Sequence, residues 1–126
     1  MARVIDLATA KRLGLPGRVS LEPVSGETGS CCTVRIAEIP VVKPGDKTRG
    51  PHMHDGFEEV IYVLKGTGVT VSESGEFALG AGDLVLIPPN EKHMTRNTGS
   101  EPLVLLCFFP HPDIGPRTTE FPASDP

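Results

Sequence analysis

Three histidines and one glutamate form the pattern in this chain that is best suited to chemistry: His52, His54, Glu59 and His93. Successive side chains of a β-strand point to opposite faces, so His52 and His54 would point the same way and could grip one ion together. Glu59 opens an apolar run, and His93 opens a later predicted strand. Imidazole nitrogens combined with a carboxylate oxygen suit first-row divalent ions. Four protein ligands on an ion that prefers six leave positions for water, oxygen or substrate, which is typical of a site for chemistry.

The first two histidines and the glutamate belong to a longer motif. The sequence reads Gly50-Pro51-His52-Met53-His54, and six residues separate Glu59 from Gly66. This arrangement resembles the first motif of the cupin superfamily, although its glycine lies nearer the histidines than is usual, and Gly45 is the alternative. The interval to Gly66 favours Glu59 over the neighbouring Glu58 as the ligand. Glu58 is then expected on the opposite face of the strand.

A second motif surrounds His93. Five residues separate Gly82 from Pro88, and His93 and Asn97 follow. The pattern resembles the second cupin motif, which often has glycine where this chain has Asn90. Asn tolerates positive φ better than most residues, so we expect this turn to survive the change. Asn97 is expected on the same strand face as His93, where it either contacts the metal ligands from outside or stabilises a turn.

The resemblance to the cupin superfamily implies a fold, a metal site and an assembly. The fold is all-β, a double-stranded β-helix (jelly-roll barrel), forming one cupin domain over residues 1–126. Its core barrel covers about residues 17–110, and a tail over 111–126 lies over the barrel or frays. Pairing of barrels through edge strands and N-terminal segments, common in the family, leads us to expect a homodimer. One divalent ion inside the barrel, preferably Fe(II) but also Mn(II), Ni(II), Co(II) or Zn(II), is expected on His52, His54, Glu59 and His93.

Local patterns predict short strands separated by Gly-rich turns, and one helix. The helix covers Asp6 to Leu13, with Asp6 as N-cap and Gly14 as the stop. Leu84 to Ile87 is a nearly continuous apolar run, which predicts a buried strand. Regular spacing of strands and turns indicates a sandwich or barrel. Strands are predicted over residues 33–39, 59–64, 69–73, 76–79, 84–87, 93–97 and 103–109.

Composition excludes several classes of partner. The net charge is −4 and the basic residues are scattered, so neither nucleic acid nor a membrane is expected as a partner. The apolar runs are too short to span a bilayer, and we expect a cytoplasmic protein. Three cysteines, of which Cys31 and Cys32 are adjacent, predict free thiols. Cys107 is expected to pack as a small apolar side chain, with a thiolate ligand or nucleophile as the alternative.

The predicted barrel interior offers few acids or bases beyond the four ligands. If Glu59 points inward, strand alternation turns Tyr62 outward, which makes it a poor catalytic acid. His111 follows the last predicted strand, where a solvated loop position is favoured over a place at the pocket mouth. The inner wall is expected to be apolar. Any catalysis must therefore depend on the metal.

The sequence favours a metal-dependent enzyme that acts on a small, oxygen-rich or carbonyl-bearing metabolite. The first hypothesis is an Fe(II) dioxygenase, in which substrate and dioxygen meet at the ion. The second is an isomerase, lyase or cyclase that uses the ion as a Lewis acid. A non-catalytic cupin that binds a small ligand is the alternative from another class.

Overall fold

The computed structural model describes residues 1–123, in which eleven β-strands form two antiparallel sheets of a jelly-roll barrel. The helical elements of this part are three 3-10 turns, none of them long enough to cross a membrane. The all-β prediction is confirmed. The last residues of the predicted tail, 124–126, lie outside the described part. The strands are β1 Lys11–Leu13, β2 Val19–Val24, β3 Thr33–Ile39, β4 His52–His54, β5 Glu59–Lys65, β6 Thr67–Ser72, β7 Gly75–Gly80, β8 Leu84–Ile87, β9 His93–Asn97, β10 Leu103–Phe109 and β11 Thr118–Glu120.

The core lies between the two sheets. One sheet has the order β1-β2-β3-β10-β5-β8 and the other β11-β4-β9-β6-β7. Strand β10 pairs along its length with β3 and β5 and alternates strictly in burial. Because successive side chains point to opposite faces, one set fills the barrel and the other faces outward. The inward set consists of Leu103, Leu105, Cys107 and Phe109.

The predicted N-terminal helix is wrong beyond its first turn. Asp6 does act as N-cap, since the Ala8 amide donates to its Oδ1 at 2.9 Å, but only the 3-10 turn Leu7–Thr9 follows. From Ala10 the backbone is extended, and β1 pairs antiparallel with β2. A helix this short is marginal alone, because nucleation costs more than its few hydrogen bonds return. Pairing with β2 satisfies the same backbone groups, so the strand is formed instead.

Strand β8 has the predicted bounds but is not buried on both faces. Ile87 is 3% exposed, whereas Leu84 and Leu86 are 67% and 61% exposed. Within the described part of the chain the strand pairs with β5 alone and forms an edge of the six-stranded sheet. One of its faces therefore lies outside the barrel, and an apolar run cannot distinguish this from complete burial.

The chain beyond β10 returns to the barrel. A 3-10 turn, Gly115–Arg117, leads into β11, which pairs antiparallel with β4. Thr118 lies opposite His54, and Glu120 lies opposite His52. The described part of the tail thus covers one side of the strand that carries two of the predicted ligands.

The three cysteines are free thiols. Cys31 is exposed, Cys32 is half-buried and Cys107 is buried in the core. Burial and the nearby charge of Glu59 raise the pKa of the Cys107 thiol well above its ordinary value. Cys107 is therefore a packed thiol at neutral pH, and the thiolate alternative is not supported.

Candidate metal centre

Three strands bring the four predicted ligands to one point inside the barrel. Strand β4 carries two histidines, β9 places His93 directly opposite His52, and β5 begins at Glu59. All four side chains are buried, and their ligand atoms lie within 4.8 Å of one another. The set, His52, His54, Glu59 and His93, is the one that the spacing indicated, and it fits a divalent metal site.

A left-handed turn before β9 ties the two motifs together. Asn90 has φ 63°, as expected for the residue that replaces the usual glycine. Its amide donates to the carbonyl oxygen of His54 at 2.9 Å. Its side-chain oxygen accepts from the Gly56 amide at 3.1 Å. The turn that precedes His93 is thus fastened to the loop that connects His54 with Glu59.

The outer nitrogen of each histidine is held by a neighbour. The Nδ1 atom of His93 donates to the Glu91 carbonyl at 2.8 Å, and that of His52 approaches the Gly50 carbonyl at 3.4 Å. The Nδ1 atom of His54 lies 3.0 Å from Thr118 Oγ1, whose own hydroxyl donates to the Ile114 carbonyl at 2.7 Å. Because a proton on Nδ1 leaves Nε2 with the lone pair, these contacts select the tautomer that can bind a metal.

The Oε1 atom of Glu59 lies within hydrogen-bond distance of two of the inner nitrogens. His93 Nε2 lies 2.9 Å and His54 Nε2 lies 3.2 Å from its Oε1. Burial raises the pKa of Glu59, but these hydrogen bonds outweigh it and hold the pKa well below its ordinary value. Burial lowers the pKa of His93, yet its bond to the carboxylate raises it above the ordinary value overall. An Nε2–H that donates to Glu59 belongs to an imidazole protonated on both nitrogens, and a metal bound at Nε2 would replace that proton.

The pKa of His52 is strongly lowered by its surroundings. Burial, followed by the charges of Arg49 and His93, lowers its pKa to about 2. It is therefore neutral at physiological pH, which is the form of histidine that ligates metals.

The interior beside the ligands is more polar than the sequence analysis predicted. Arg18, Arg35 and Arg49 line the same small cavity, of about 30 Å³, as the four ligand residues. The prediction of an apolar wall poor in ionisable groups is therefore wrong. A larger cavity of about 350 Å³ shares three lining residues with it, Arg18, Arg49 and Thr95.

Two roles were predicted for Asn97, and the structure shows the second, in which its side chain stabilises a turn. Its Nδ2 donates to the Ile39 and Glu101 carbonyls at 3.0 and 2.8 Å, and its Oδ1 accepts from the Gly99 amide at 2.8 Å. These bonds occupy the amide in the turn after β9, so its assignment as an outer contact of the metal ligands is corrected. Thr118, which the sequence analysis missed, contacts His54 instead.

Two other side chains have positions that bear on the earlier predictions. Tyr62 points away from the barrel and is 38% exposed, as strand alternation predicted. His111 is half-buried and lies outside the ligand cluster. Its ring stacks on Phe57, with centroids 5.1 Å apart, and Phe57 stacks on His54 at 5.7 Å. His111 is therefore a packing residue behind the site and not a solvated loop histidine.

Comparisons with known proteins agree with this fold. The cupin domain family matches residues 39–109. The chain is 30% identical over 126 residues to Protein SchB of Streptomyces halstedii, a match covering 94% of this chain and 88% of SchB. It is 32% identical over 90 residues to Polyketide synthase CurC of Streptomyces cyaneus, covering 68% of this chain and 57% of CurC.

Solved structures of other proteins share this fold. The polyketide cyclase RemF from Streptomyces resistomycificus superposes with a TM-score of 0.72 at 21% identity. That superposition covers 100% of this chain and 90% of the RemF chain. The family match covers more than half of the sequence and includes both motifs, so this chain belongs to the cupin family.

Proposed function

We propose that this chain is a metal-dependent enzyme that acts on a small, carbonyl-bearing metabolite. One observation carries the proposal: four buried side chains from three strands converge with their ligand atoms within 4.8 Å of one another. Burying a carboxylate and three imidazoles costs free energy unless something inside the barrel compensates them. A divalent ion bound by His52, His54, Glu59 and His93 supplies that compensation.

Lewis-acid chemistry of the lyase, cyclase or isomerase type is the reaction class we propose first. A divalent ion in this site would polarise a carbonyl or enol oxygen of the substrate. The name of the relative CurC points to polyketides, whose repeated carbonyls offer such oxygens. The larger cavity beside the site, about 350 Å³, has room for a small molecule.

The chain's own residues would orient the reacting groups and exclude water. Fixed Nδ1 contacts hold each imidazole in one orientation, which preserves the geometry at the ion through a reaction. Ile61, Leu105 and Phe109 line the inner cavity and are at most 2% exposed. These apolar side chains lower the local dielectric constant on their side of the cavity, which strengthens electrostatic interactions there.

An Fe(II) dioxygenase, the first hypothesis from the sequence, is the second candidate. The mixed nitrogen and oxygen donor set supports it, since four ligands leave positions on an ion for both substrate and dioxygen. The two candidates differ in their need for dioxygen. Anaerobic conditions would abolish dioxygenase turnover and leave a lyase or cyclase unaffected.

Elemental analysis of the purified protein tests the proposal, with His93→Ala beside the wild type. We expect near-stoichiometric divalent metal in the wild type and a large loss in the variant, because one of four ligands is removed. His111→Ala is the matched control, since His111 lies outside the cluster, and it should keep its metal. Wild-type protein that stays metal-free after reconstitution would contradict the proposal.

The identity of the bound metal then decides which activity assay is used. Iron would call for oxygen-consumption measurements with diketones, whereas zinc, manganese or nickel would call for anaerobic turnover of poly-β-ketone substrates followed by mass spectrometry. Water loss or ring closure without oxygen uptake would support the Lewis-acid reaction. Stoichiometric oxygen uptake coupled to substrate loss would support the dioxygenase instead.

A further inference from the structure

A half-buried arginine beside the ligand cluster has one buried nitrogen without a partner in the described part of the chain. The Nε atom of Arg18 is shielded from solvent and has no hydrogen-bond partner among residues 1–123. Arg18 lies in the loop before β2 and lines both cavities next to the site. Leaving a guanidinium donor buried and unpaired costs free energy, so such a group calls for a ligand.

The other two arginines of the inner cavity are already paired. Arg35 Nε lies 2.8 Å from Glu22 Oε2, with both side chains nearly buried. Arg49 makes two bonds to Glu120, at 2.9 and 2.7 Å. Arg18 is thus the arginine of this cavity whose charge has no carboxylate partner in the described part of the chain.

The charge balance around Arg18 favours an anion. Among residues 1–123, Glu59 is the only acidic residue that lines the inner cavity, and it belongs to the ligand cluster. Burial, together with the nearby charge of Arg49, lowers the pKa of Arg18 to about 10. The guanidinium is still charged at neutral pH and would attract an approaching anion, and Arg49, whose Nε and Nη2 bind Glu120, could add its Nη1 as a further donor.

We propose that Arg18, assisted by Arg49, binds a carboxylate of the substrate where the two cavities meet, beside the metal ligands. The inference rests on the proposed function and names the substrate class: a keto-carboxylate. The carboxylate of this substrate binds the two arginines, and its carbonyl faces the ligand cluster. The rest of the substrate occupies the larger cavity.

A carboxylate matches the donors of this place. The guanidinium presents parallel N–H donors whose spacing matches the two oxygens of a carboxylate. Arg49 is held in place by its two bonds to Glu120, so its guanidinium is preorganised.

Calorimetric titration with levulinate, a stable keto-carboxylate, tests the inference on the metal-loaded protein. Methyl levulinate has the same ketone without the charge and serves as the neutral probe. We expect saturable levulinate binding in the millimolar range or below. Arg18→Gln should weaken it about tenfold or more, because a charged hydrogen-bonded partner is lost. The exposed Arg12→Gln is the matched control and should bind as the wild type does.

Three results would overturn the inference. These are equal levulinate affinity in Arg18→Gln and wild type, equal affinity for the ester and the acid, or no levulinate binding by the wild type up to high millimolar concentration. If Arg18→Gln fails to fold, NMR of the zinc-loaded wild type decides. The Arg18 Nε–Hε resonance should move in step with binding, and a resonance that stays fixed while levulinate binds overturns the proposal.

Repeating the titration after chelation separates this inference from the proposed function. Arg18-dependent binding in protein that never takes up metal would support the carboxylate site while the metalloenzyme proposal fails. Intact metal content in Arg18→Gln, with levulinate affinity lost, would support both. Intact metal content in Arg18→Gln with unchanged levulinate affinity would support the metal site and contradict the carboxylate-binding role of Arg18.

Discussion

Glu59 is the residue on which the geometry of the site depends most. Its Oε1 receives hydrogen bonds from two histidines on different strands, and its side chain is almost completely buried. The neighbouring Glu58 is exposed. Two adjacent residues of identical chemistry therefore have opposite environments, because strand alternation directs one inward and the other to solvent.

Replacing each glutamate in turn tests which of them binds the metal. Glu59→Gln keeps the size of the side chain but removes the charge, so we expect most of the bound metal to be lost. Metal-loaded wild type should melt on the order of 10 °C above chelated protein at free metal about 100 times Kd, and Glu59→Gln should lose this difference. Glu58→Gln should behave as wild type. Retained metal in Glu59→Gln with loss in Glu58→Gln would reverse the assignment.

For individual residues, the sequence identifies the metal ligands more readily than the side chains that lie beside them. Two histidines at alternate positions reveal a shared face without any knowledge of the fold. Arg35 could also have been found, because it shares strand parity with the buried Ala37 and Ile39. Arg18 and Arg49 lie in loops. No periodicity reports the direction of a loop side chain, so their place beside the site follows only from the three-dimensional structure.

Strand β11 shows how a distant element completes the site. It pairs with β4 and places the Thr118 hydroxyl against His54, although the two residues are 64 positions apart in sequence. The hydroxyl is itself oriented by its bond to the Ile114 carbonyl. An outer contact of this kind fixes the imidazole orientation and increases its basicity.

Thr118→Val removes that contact with little change in shape. We expect metal affinity to fall about 10- to 100-fold, with the fold retained, because His54 loses the acceptor that selects its tautomer. Competition with a chromogenic chelator measures the affinity. Thr119→Val is the matched control, since Thr119 is exposed on the same strand. Equal losses in both variants would indicate that β11 acts only through strand pairing.

Elements with strong local patterns were the ones that could be predicted. Strands β3, β8, β9 and β10 have the bounds that β-propensity and turn residues indicated. The N-terminal helix failed because pairing of β1 with β2 outweighed a weak local preference. Strand β11 was missed because Thr118–Glu120 is short and gains its stability from a partner far along the chain. Local sequence carries no record of such pairing.

The molecule as a whole presents an apolar outer face on its six-stranded sheet. Tyr62, Leu64, Leu84 and Leu86 are between 38% and 67% exposed and lie on the paired strands β5 and β8. Leu106 pairs with Tyr62 across the sheet and continues the face onto β10. A contiguous apolar patch beside a free strand edge is a typical site of association.

A homodimer through this face is the assembly we expect, with β8 of each copy near the interface. Light scattering of wild type at micromolar concentration should give twice the 13.4 kDa chain mass. The double variant Leu84→Lys with Leu86→Lys should be monomeric, because burying two ammonium groups opposes association. Phe77→Lys, which alters an exposed apolar residue on β7 at an edge of the other sheet, should leave the dimer intact. A monomeric wild type would refute the expectation, and a dimer disrupted only by Phe77→Lys would move the interface to the five-stranded sheet.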